Sequence, residues 1–236
     1  MESRDLLSAR RGDVSADHDG DAAAASAETE VVRRLQTHAP LRVNGHVNGT
    51  AAARRRGDDD LNPGFLETLS AFKSAAVLVP LLRRPDGLRI LLTRRTATLP
   101  DHAGQICFPG GRIAAHDADA SGAALREAEE EVGLSPAGVA LAAELDPYHT
   151  RTGYAVTPLV GVLDAPAAFR TDPSEVAEVF EVPLAFVLDP ANRETHSLTV
   201  RGTARHYHVF VYGPHYIWGA TAGMLVNLAE VLQRPC

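Results

Sequence analysis

Three glutamates, Glu127, Glu130 and Glu131, stand in a segment whose pattern predicts a helix. Residues at the spacing i, i+3 and i+4 project from one helix face, so the three carboxylates are expected to converge. Like charges this close repel one another unless a cation lies between them. Hard oxygen ligands select Mg²⁺ or Mn²⁺ over zinc or copper, and Mg²⁺ commonly binds carboxylates together with substrate phosphates. The spacing therefore predicts a Mg²⁺ or Mn²⁺ site for phosphoanhydride chemistry.

A solvated helix face is the alternative, because an Arg beside a run of Glu commonly forms surface pairs worth about 0.2–0.5 kcal/mol. The neighbouring residues favour a built site. An apolar run ends at Phe108-Pro109-Gly110-Gly111, a loop follows, and Gly133 is placed to end the helix. Gly110 and Gly111 lack a Cβ, so their backbone could approach a phosphate or a metal closely, although a plain turn would also use them.

The run Arg126–Leu134 reads Arg-Glu-Ala-Glu-Glu-Glu-Val-Gly-Leu and resembles the second half of the Nudix box. The first half departs from the family pattern: Ala118 stands where the family has Glu, and the loop is one residue longer. We interpret Asp119 as the substitute for that Glu, whose family role is to hold the loop to the helix through Arg126. Counting forward from the glycine pair gives Asp117 instead.

Membership in the Nudix family would imply an α/β fold, the α/β/α sandwich with a mixed sheet, and a pyrophosphohydrolase that uses Mg²⁺ or Mn²⁺. By their positions in the box, Glu127, Glu130 and Glu131 are the expected metal ligands. The expected catalytic set adds Arg126 in an orienting role. A non-catalytic nucleotide sensor stays open, although a sensor has no need to keep a costly cluster of like charges.

A second block precedes the box: Leu91-Leu92-Thr93-Arg94-Arg95, Leu99, His102, Gly104-Gln105 and Phe108-Pro109-Gly110-Gly111. It is similar to the signature of coenzyme A pyrophosphatases, which implies coenzyme A or a thioester of it as substrate, cut to adenosine 3′,5′-bisphosphate and 4′-phosphopantetheine. The expected substrate-binding residues are Arg95, His102, Gln105, Gly110 and Gly111. Pro100 stands where that branch has Arg, which removes one guanidinium from the phosphate path. Hydrolysis of ADP-ribose, NADH or a dinucleoside polyphosphate therefore stays open.

Two further pairs of residues have two readings each. Glu175 and Glu178 are interpreted as part of a polar helix start capped by Ser174, and the alternative is the carboxylate that many Nudix enzymes bring from a later loop. Tyr216 and Trp218 are interpreted as packing or interface anchors, and stacking on an adenine ring is the alternative.

Composition predicts a cytoplasmic enzyme. The net charge of −7 argues against nucleic acid as a partner, and no apolar run approaches a membrane span. Cys107 and Cys236 are the two cysteines of the chain, which gives no disulfide framework. The sequence leaves open whether the chain is a monomer or a homodimer.

Residues 1–62 are rich in Ala, Asp, Arg and Gly and predict a mostly disordered extension before a Nudix hydrolase domain at 63–236. A short helix at 28–36 is the alternative for part of it. Arg54-Arg55-Arg56 is followed by Asp58-Asp59-Asp60, which indicates a solvated charged linker. Within the domain the pattern predicts helices at 65–72, 183–188 and 221–233, a hairpin of strands 75–82 and 88–93, and strands at 140–144, 155–163, 197–200 and 206–212.

Overall fold

A computed structural model describes residues 15–41, 56–64, 71–166, 168–200 and 202–235, with side chains from residue 25 onward. Over these residues the helices are α1 (Ser15–His38), α2 (Ala120–Val132), α3 (Leu184–Leu188) and α4 (Gly219–Gln233). The strands are β1 (Arg56–Gly57), β2 (Lys73–Arg84), β3 (Gly87–Arg95), β4 (Ile106–Cys107), β5 (Gly110–Arg112), β6 (Ala140–Glu144), β7 (Tyr148–His149), β8 (Tyr154–Asp164), β9 (Val176–Pro183), β10 (Glu194–Val200), β11 (Thr203–Tyr212) and β12 (His215–Trp218). None of the described helices is both long and apolar enough to cross a membrane.

The main sheet is mixed, as predicted. Its central strand β2 runs parallel to β8 and antiparallel to β3, while β9 extends the sheet beyond β3 and β5 pairs with β2. The predicted hairpin is confirmed: Arg84 pairs with Gly87 across a two-residue connection. Gly87 has φ +110°, a conformation that L side chains rarely adopt, which explains the glycine at this turn.

Helices cover both faces of this sheet, so the predicted α/β/α sandwich is confirmed. Side chains alternate along β2, and Leu78 and Leu82 join the cluster under α2. Val79 and Leu81 point the other way, into the cluster that includes α1, α3 and α4. The helices at the predicted 183–188 and 221–233 are α3 and α4. The helix predicted at 65–72 falls mostly outside the described residues.

The N-terminal region differs from the expected disordered extension. Its helix α1 is longer than the alternative at 28–36, and Leu35 is fully buried in the core. Arg34 Nη1 donates a 2.9 Å hydrogen bond to the carbonyl of Leu232 in α4. The described part of residues 1–62 is therefore corrected to a structured part of the fold, because α1 supplies apolar surface that α4 buries. The domain division after residue 62 stays a prediction.

Arg56 likewise corrects the expected solvated linker. Strand β1 pairs in parallel with β7, and Arg56 is 8% exposed. Its guanidinium contacts Glu230 and lies 3.7 Å from both Asp60 and Asp146. A buried guanidinium requires such partners, so this arginine joins the extension to α4 rather than facing water.

A second, antiparallel sheet has the order β10-β11-β12. The strands predicted at 197–200 and 206–212 are confirmed and are longer than predicted. Strand β12 leads directly into α4. Asn62 joins this sheet to the N-terminal segment, because its amide accepts from His206 N–H and donates to His206 C=O, both at 2.8 Å.

Candidate active site

Helix α2 presents the predicted glutamates because its two ends are capped and one face is small. Asp119 Oδ1 accepts a 2.9 Å hydrogen bond from Gly122 N–H at the N-terminus. Gly133 ends the helix with φ +74°, as predicted. Ala124 and Ala128 are fully buried in the apolar cluster between α2 and the main sheet. Small side chains on this face bring the helix close to the sheet.

The loop carboxylate that holds Arg126 is Asp117, so the interpretation of Asp119 was wrong. Arg126 donates from Nε and Nη2 to the two oxygens of Asp117 at 2.9 and 3.1 Å. This hydrogen bonding, with a further one from Ala114 N–H, lowers the pKa of Asp117 to about 2. Asp119 is unavailable for the pair because it caps the helix. The extra residue relative to the family spacing therefore lies between Asp117 and Arg126.

Arg126 also holds two of the glutamates. Its Nη2 lies 2.9 Å from Glu127 Oε1, and its Nη1 lies 3.0 Å from Glu130 Oε2. One planar guanidinium thus orders the loop and two carboxylates at once. This geometry suits the orienting role expected for Arg126.

Glu131 is the most buried carboxylate of the set, with a side chain that is 5% exposed. Burial raises its pKa to about 8, against a 3.2 Å hydrogen bond from Gly110 N–H and the charge of Arg95. Arg95 Nη1 lies 3.8 Å from Glu131 Oε1. Burial also raises the pKa of Glu127, which Arg126 opposes. A neighbouring cation would reverse both shifts.

Gly110 and Gly111 have a more specific role than a plain turn. They lie in β5, paired with β2. A Cβ on Gly111 would lie 2.6 Å from Glu127 Oε1, and one on Gly110 would lie 2.6 Å from Val77 Cα. Gly110 also has φ +154°. Neither position has room for a side chain, because Gly110 lies against the backbone of β2 and Gly111 lies against the Glu127 carboxylate.

The three glutamates do not converge on one point. Over the described part of the chain, no group of three or more His, Cys, Asp or Glu side chains is arranged to hold a metal. Glu127 and Glu131 face β5, called here the glycine strand. The side chain of Glu130 is instead 59% exposed, at the rim of the site beside Arg126. The donor chemistry still fits a hard divalent cation, because all donors are carboxylate oxygens and Glu131 among them is buried.

A cavity of about 700 Å³ lies beside these groups. Its lining includes every predicted substrate-binding residue: Arg95, His102, Gln105, Gly110 and Gly111. His102 has a left-handed φ of +59°, and its Nδ1 lies 2.9 Å from Gln105 Oε1. Among the described residues that line the cavity, none is a glutamate of α2. Glu127 and Glu131 instead lie directly against the glycine strand, whose residues also line the cavity.

The structure distinguishes the two later carboxylates. Glu175 Oε2 lies 4.0 Å from Arg95 Nη1, and its charge contributes to the raised pKa of Glu131. Glu178 instead lies 2.7 Å from Arg94 and 3.0 Å from His215. The interpretation of this segment as a helix start is wrong, because strand β9 begins there at Val176.

The sequence interpretation missed the segment 57–62 as part of the site. Gly57, Asp58, Leu61 and Asn62 line the cavity. Asp58 is fixed there by Tyr148 Oη at 2.9 Å and by the N–H of Arg151 at 2.7 Å. Consecutive aspartates look like a solvated linker, so the only available signal was Asn62, a common turn residue with little specificity.

A family model described as NUDIX domain matches residues 72–201. Two relatives carry the name Uncharacterized Nudix hydrolase NudL. The protein of Escherichia coli (strain K12 / DH10B) is 42% identical over 163 residues, which cover 69% of this chain and 84% of that one. The protein of Cronobacter sakazakii (strain ATCC BAA-894) is 43% identical over 166 residues, covering 69% and 85%.

Among solved structures, the C. elegans Ap4A hydrolase binary complex aligns with a TM-score of 0.39 at 19% identity, covering 49% of this chain and 83% of that one. The family match and the two NudL relatives settle the classification. Nudix hydrolases act on phosphoanhydride-containing, nucleotide-derived substrates and generally use divalent metal ions. This chain belongs to the Nudix hydrolase family.

Proposed function

We propose that this chain is a Mg²⁺- or Mn²⁺-dependent pyrophosphohydrolase that cleaves coenzyme A or its thioesters to adenosine 3′,5′-bisphosphate and 4′-phosphopantetheine or its acyl form. One observation carries the proposal. The block at 91–111, which resembles the coenzyme A pyrophosphatase signature, contributes its Arg, His, Gln and paired glycines to the wall of one cavity beside the carboxylates of α2.

Glu127 and Glu131 are the residues we propose to hold the metal, with Glu130 joining them from the rim. Such an ion, when bound, neutralises phosphate charge and provides an ionised water near neutral pH. Arg126, fixed by Asp117, keeps Glu127 and Glu130 in position. We assign Glu175 as the later carboxylate, because it lies beside Arg95 and Glu178 does not.

The cavity suits a substrate with charged and uncharged parts. Its volume of about 700 Å³ falls within the range of about 300–1,000 Å³ for small-molecule sites. Arg95 and the backbone of the glycine strand lie at the end next to the carboxylates, where phosphates would bind. Apolar side chains line other parts of the wall: Ala75, Val77, Val156, Leu198, Val200 and Met224.

Pro100 favours a second candidate, a hydrolase of ADP-ribose, NADH or a dinucleoside polyphosphate. The residue is exposed, and its neighbours Asp101 and His102 line the cavity. A guanidinium at this position could reach a phosphate, and proline cannot. The missing contact weakens the assignment to coenzyme A without affecting the chemistry at α2.

A product assay by mass spectrometry distinguishes the candidates. The chain is incubated with Mg²⁺ or Mn²⁺ and with coenzyme A, acetyl coenzyme A, ADP-ribose, NADH and a dinucleoside polyphosphate. Release of 4′-phosphopantetheine from coenzyme A alone is the expected result. Cleavage of ADP-ribose or NADH instead would replace the substrate assignment, and no product from any compound would favour a nucleotide sensor.

The metal-ligand assignment has a matched pair of variants. Glu130→Gln should abolish hydrolysis and leave the fold intact, because its side chain is 59% exposed. Glu129→Gln, at an exposed position of the same helix, should retain turnover. Near-normal turnover of the Glu130 variant at saturating metal would contradict the assignment.

A cytoplasmic location also stays a prediction from composition, as do the exclusion of nucleic acid and membrane partners and the choice between monomer and homodimer. Gel filtration coupled to light scattering would decide the last of these.

A further inference from the structure

Two aromatic rings lie on the cavity wall contributed by the second sheet. Trp218 ends β12 and Tyr207 lies on β11, with ring centroids 5.5 Å apart and planes at 65°. Both residues line the cavity that also reaches Gly110 and Gly111. One cavity therefore adjoins both the glycine strand, where the phosphates are proposed to bind, and the aromatic pair.

Trp218 is 37% exposed, so the interpretation of this residue as a core packing anchor is wrong. Leu198, which also lines the cavity, is 39% exposed. Exposed apolar side chains grouped in a cavity are typical of ligand contacts. The backbone gives Trp218 a fixed place, since strand pairing holds it opposite Val209 and α4 begins at the next residue.

A cation accompanies the aromatic pair. Arg205 lines the same cavity, and it lies two residues before Tyr207 on β11, so both side chains project from one face of the strand. Aromatic rings beside a guanidinium match a planar base linked to a phosphorylated ribose. A flexible aliphatic chain has no flat face to stack and no charge for the arginine.

We propose that the adenine base of the substrate stacks on Trp218, with Tyr207 against its edge, while the diphosphate lies at the glycine strand. The proposal rests on the proposed function for the presence of an adenine nucleotide in the cavity. It assigns the adenine base, which takes no part in the cleavage, to the second sheet. The pantetheine arm of coenzyme A is then left to other parts of the wall.

The chain offers a direct readout, because Trp218 is its single tryptophan. Its fluorescence therefore reports on this site alone. The full chain, without added metal, is titrated with adenosine 3′,5′-bisphosphate and in parallel with 4′-phosphopantetheine. We expect saturable quenching by the adenosine bisphosphate and no saturable change with phosphopantetheine. Quenching by both to the same extent, by phosphopantetheine alone, or by neither would overturn the proposal.

Variants test the same contact kinetically. Trp218→Leu should raise KM for the cleaved nucleotide about tenfold or more with little change in kcat, because stacking on an aromatic ring contributes about that much affinity. Trp218→Phe should restore most of the affinity. Val211→Ala is the control, since this exposed side chain on β11 does not line the cavity. An unchanged KM in the leucine variant would contradict stacking.

The two proposals can fail separately. Saturable quenching by the adenosine bisphosphate without any hydrolysis of coenzyme A would retain the stacking site and remove the assigned substrate. Hydrolysis of coenzyme A without quenching would retain the proposed function and overturn the stacking site. If Trp218→Leu does not fold, the titration of the unmodified chain still decides the matter.

Discussion

The raised pKa of Glu131 predicts that the metal-free protein loses stability as pH rises. Its ordinary pKa of 4.5 increases to about 8 in the folded chain because the carboxyl is buried. An acid with a raised pKa binds its proton more tightly in the folded chain than in the unfolded chain. The free energy of unfolding therefore falls with rising pH between about 4.5 and about 8.

The magnitude follows from the same two values. The difference between 4.5 and about 8 is about 3.5 in pKa, and one unit corresponds to about 1.4 kcal/mol. The product is about 5 kcal/mol across the full window. The side chain is only 5% exposed, so solvent screening reduces this little. A loss of this size is comparable with the whole stability of a marginal domain, at about 5–15 kcal/mol.

Denaturant unfolding in the presence of EDTA, at intervals from about pH 5 to about pH 8, measures the effect. The other titrating groups stay in each variant, so the comparison measures Glu131 together with its charge repulsion from Glu127 and Glu175. Glu131→Gln should remove most of the pH slope, and Glu129→Gln, at an exposed position of the same helix, should leave the slope unchanged. Saturating Mg²⁺ should also flatten the wild-type slope, because a bound cation keeps its carboxylate ligands ionised. Equal slopes in wild type and Glu131→Gln without metal would refute the reasoning.

Three further predictions concern the supports of the site. Gly111→Ala should reduce kcat more than about tenfold, because the added Cβ would displace the Glu127 carboxylate that lies 2.6 Å away, while circular dichroism should show the fold retained. Asp117→Asn should lower both the melting temperature and the turnover, since Arg126 loses its charged loop partner; a variant that matches wild type in both measurements would contradict the pairing. Leu35→Ala should lower the free energy of unfolding by roughly 2–5 kcal/mol, because the side chain is fully buried, and a change below 0.5 kcal/mol, the size usual for surface positions, would show that α1 does not pack as described.

The parts of the site that were predictable are those encoded by local spacing. Glu127 and Glu131 lie one helical turn apart, so their common face follows from helix geometry. The register of the loop carboxylate was not predictable, because Asp117 and Asp119 have the same chemistry. Only the completed loop shows that one caps the helix and the other reaches Arg126.

The packing of the N-terminal helix against the core was not predicted from the sequence, for a related reason. Helix α1 has a weak apolar stripe whose visible members are Val31, Val32 and Leu35. The decisive energy comes from burial against α4, almost 200 residues later in the chain, and no local pattern reports such a contact. Arg56 shows the same limit, since its partner Glu230 is distant in sequence and the adjacent aspartates suggest solvation instead.

Asn62 links the segment 57–62 of the cavity wall to β11 of the second sheet. Its amide holds the middle of β11 from a segment that precedes the family match at 72–201, and Trp218 follows that match. Two walls of the cavity thus come from outside the stretch that carries the hydrolytic machinery. Under the proposed stacking, a change at Tyr207 or Trp218 would alter nucleotide affinity without altering the catalytic helix. A truncated protein cut to residues 72–201 would retain the glutamates and the block at 91–111, and it would lose Tyr207 and Trp218, the two rings of the proposed stacking site.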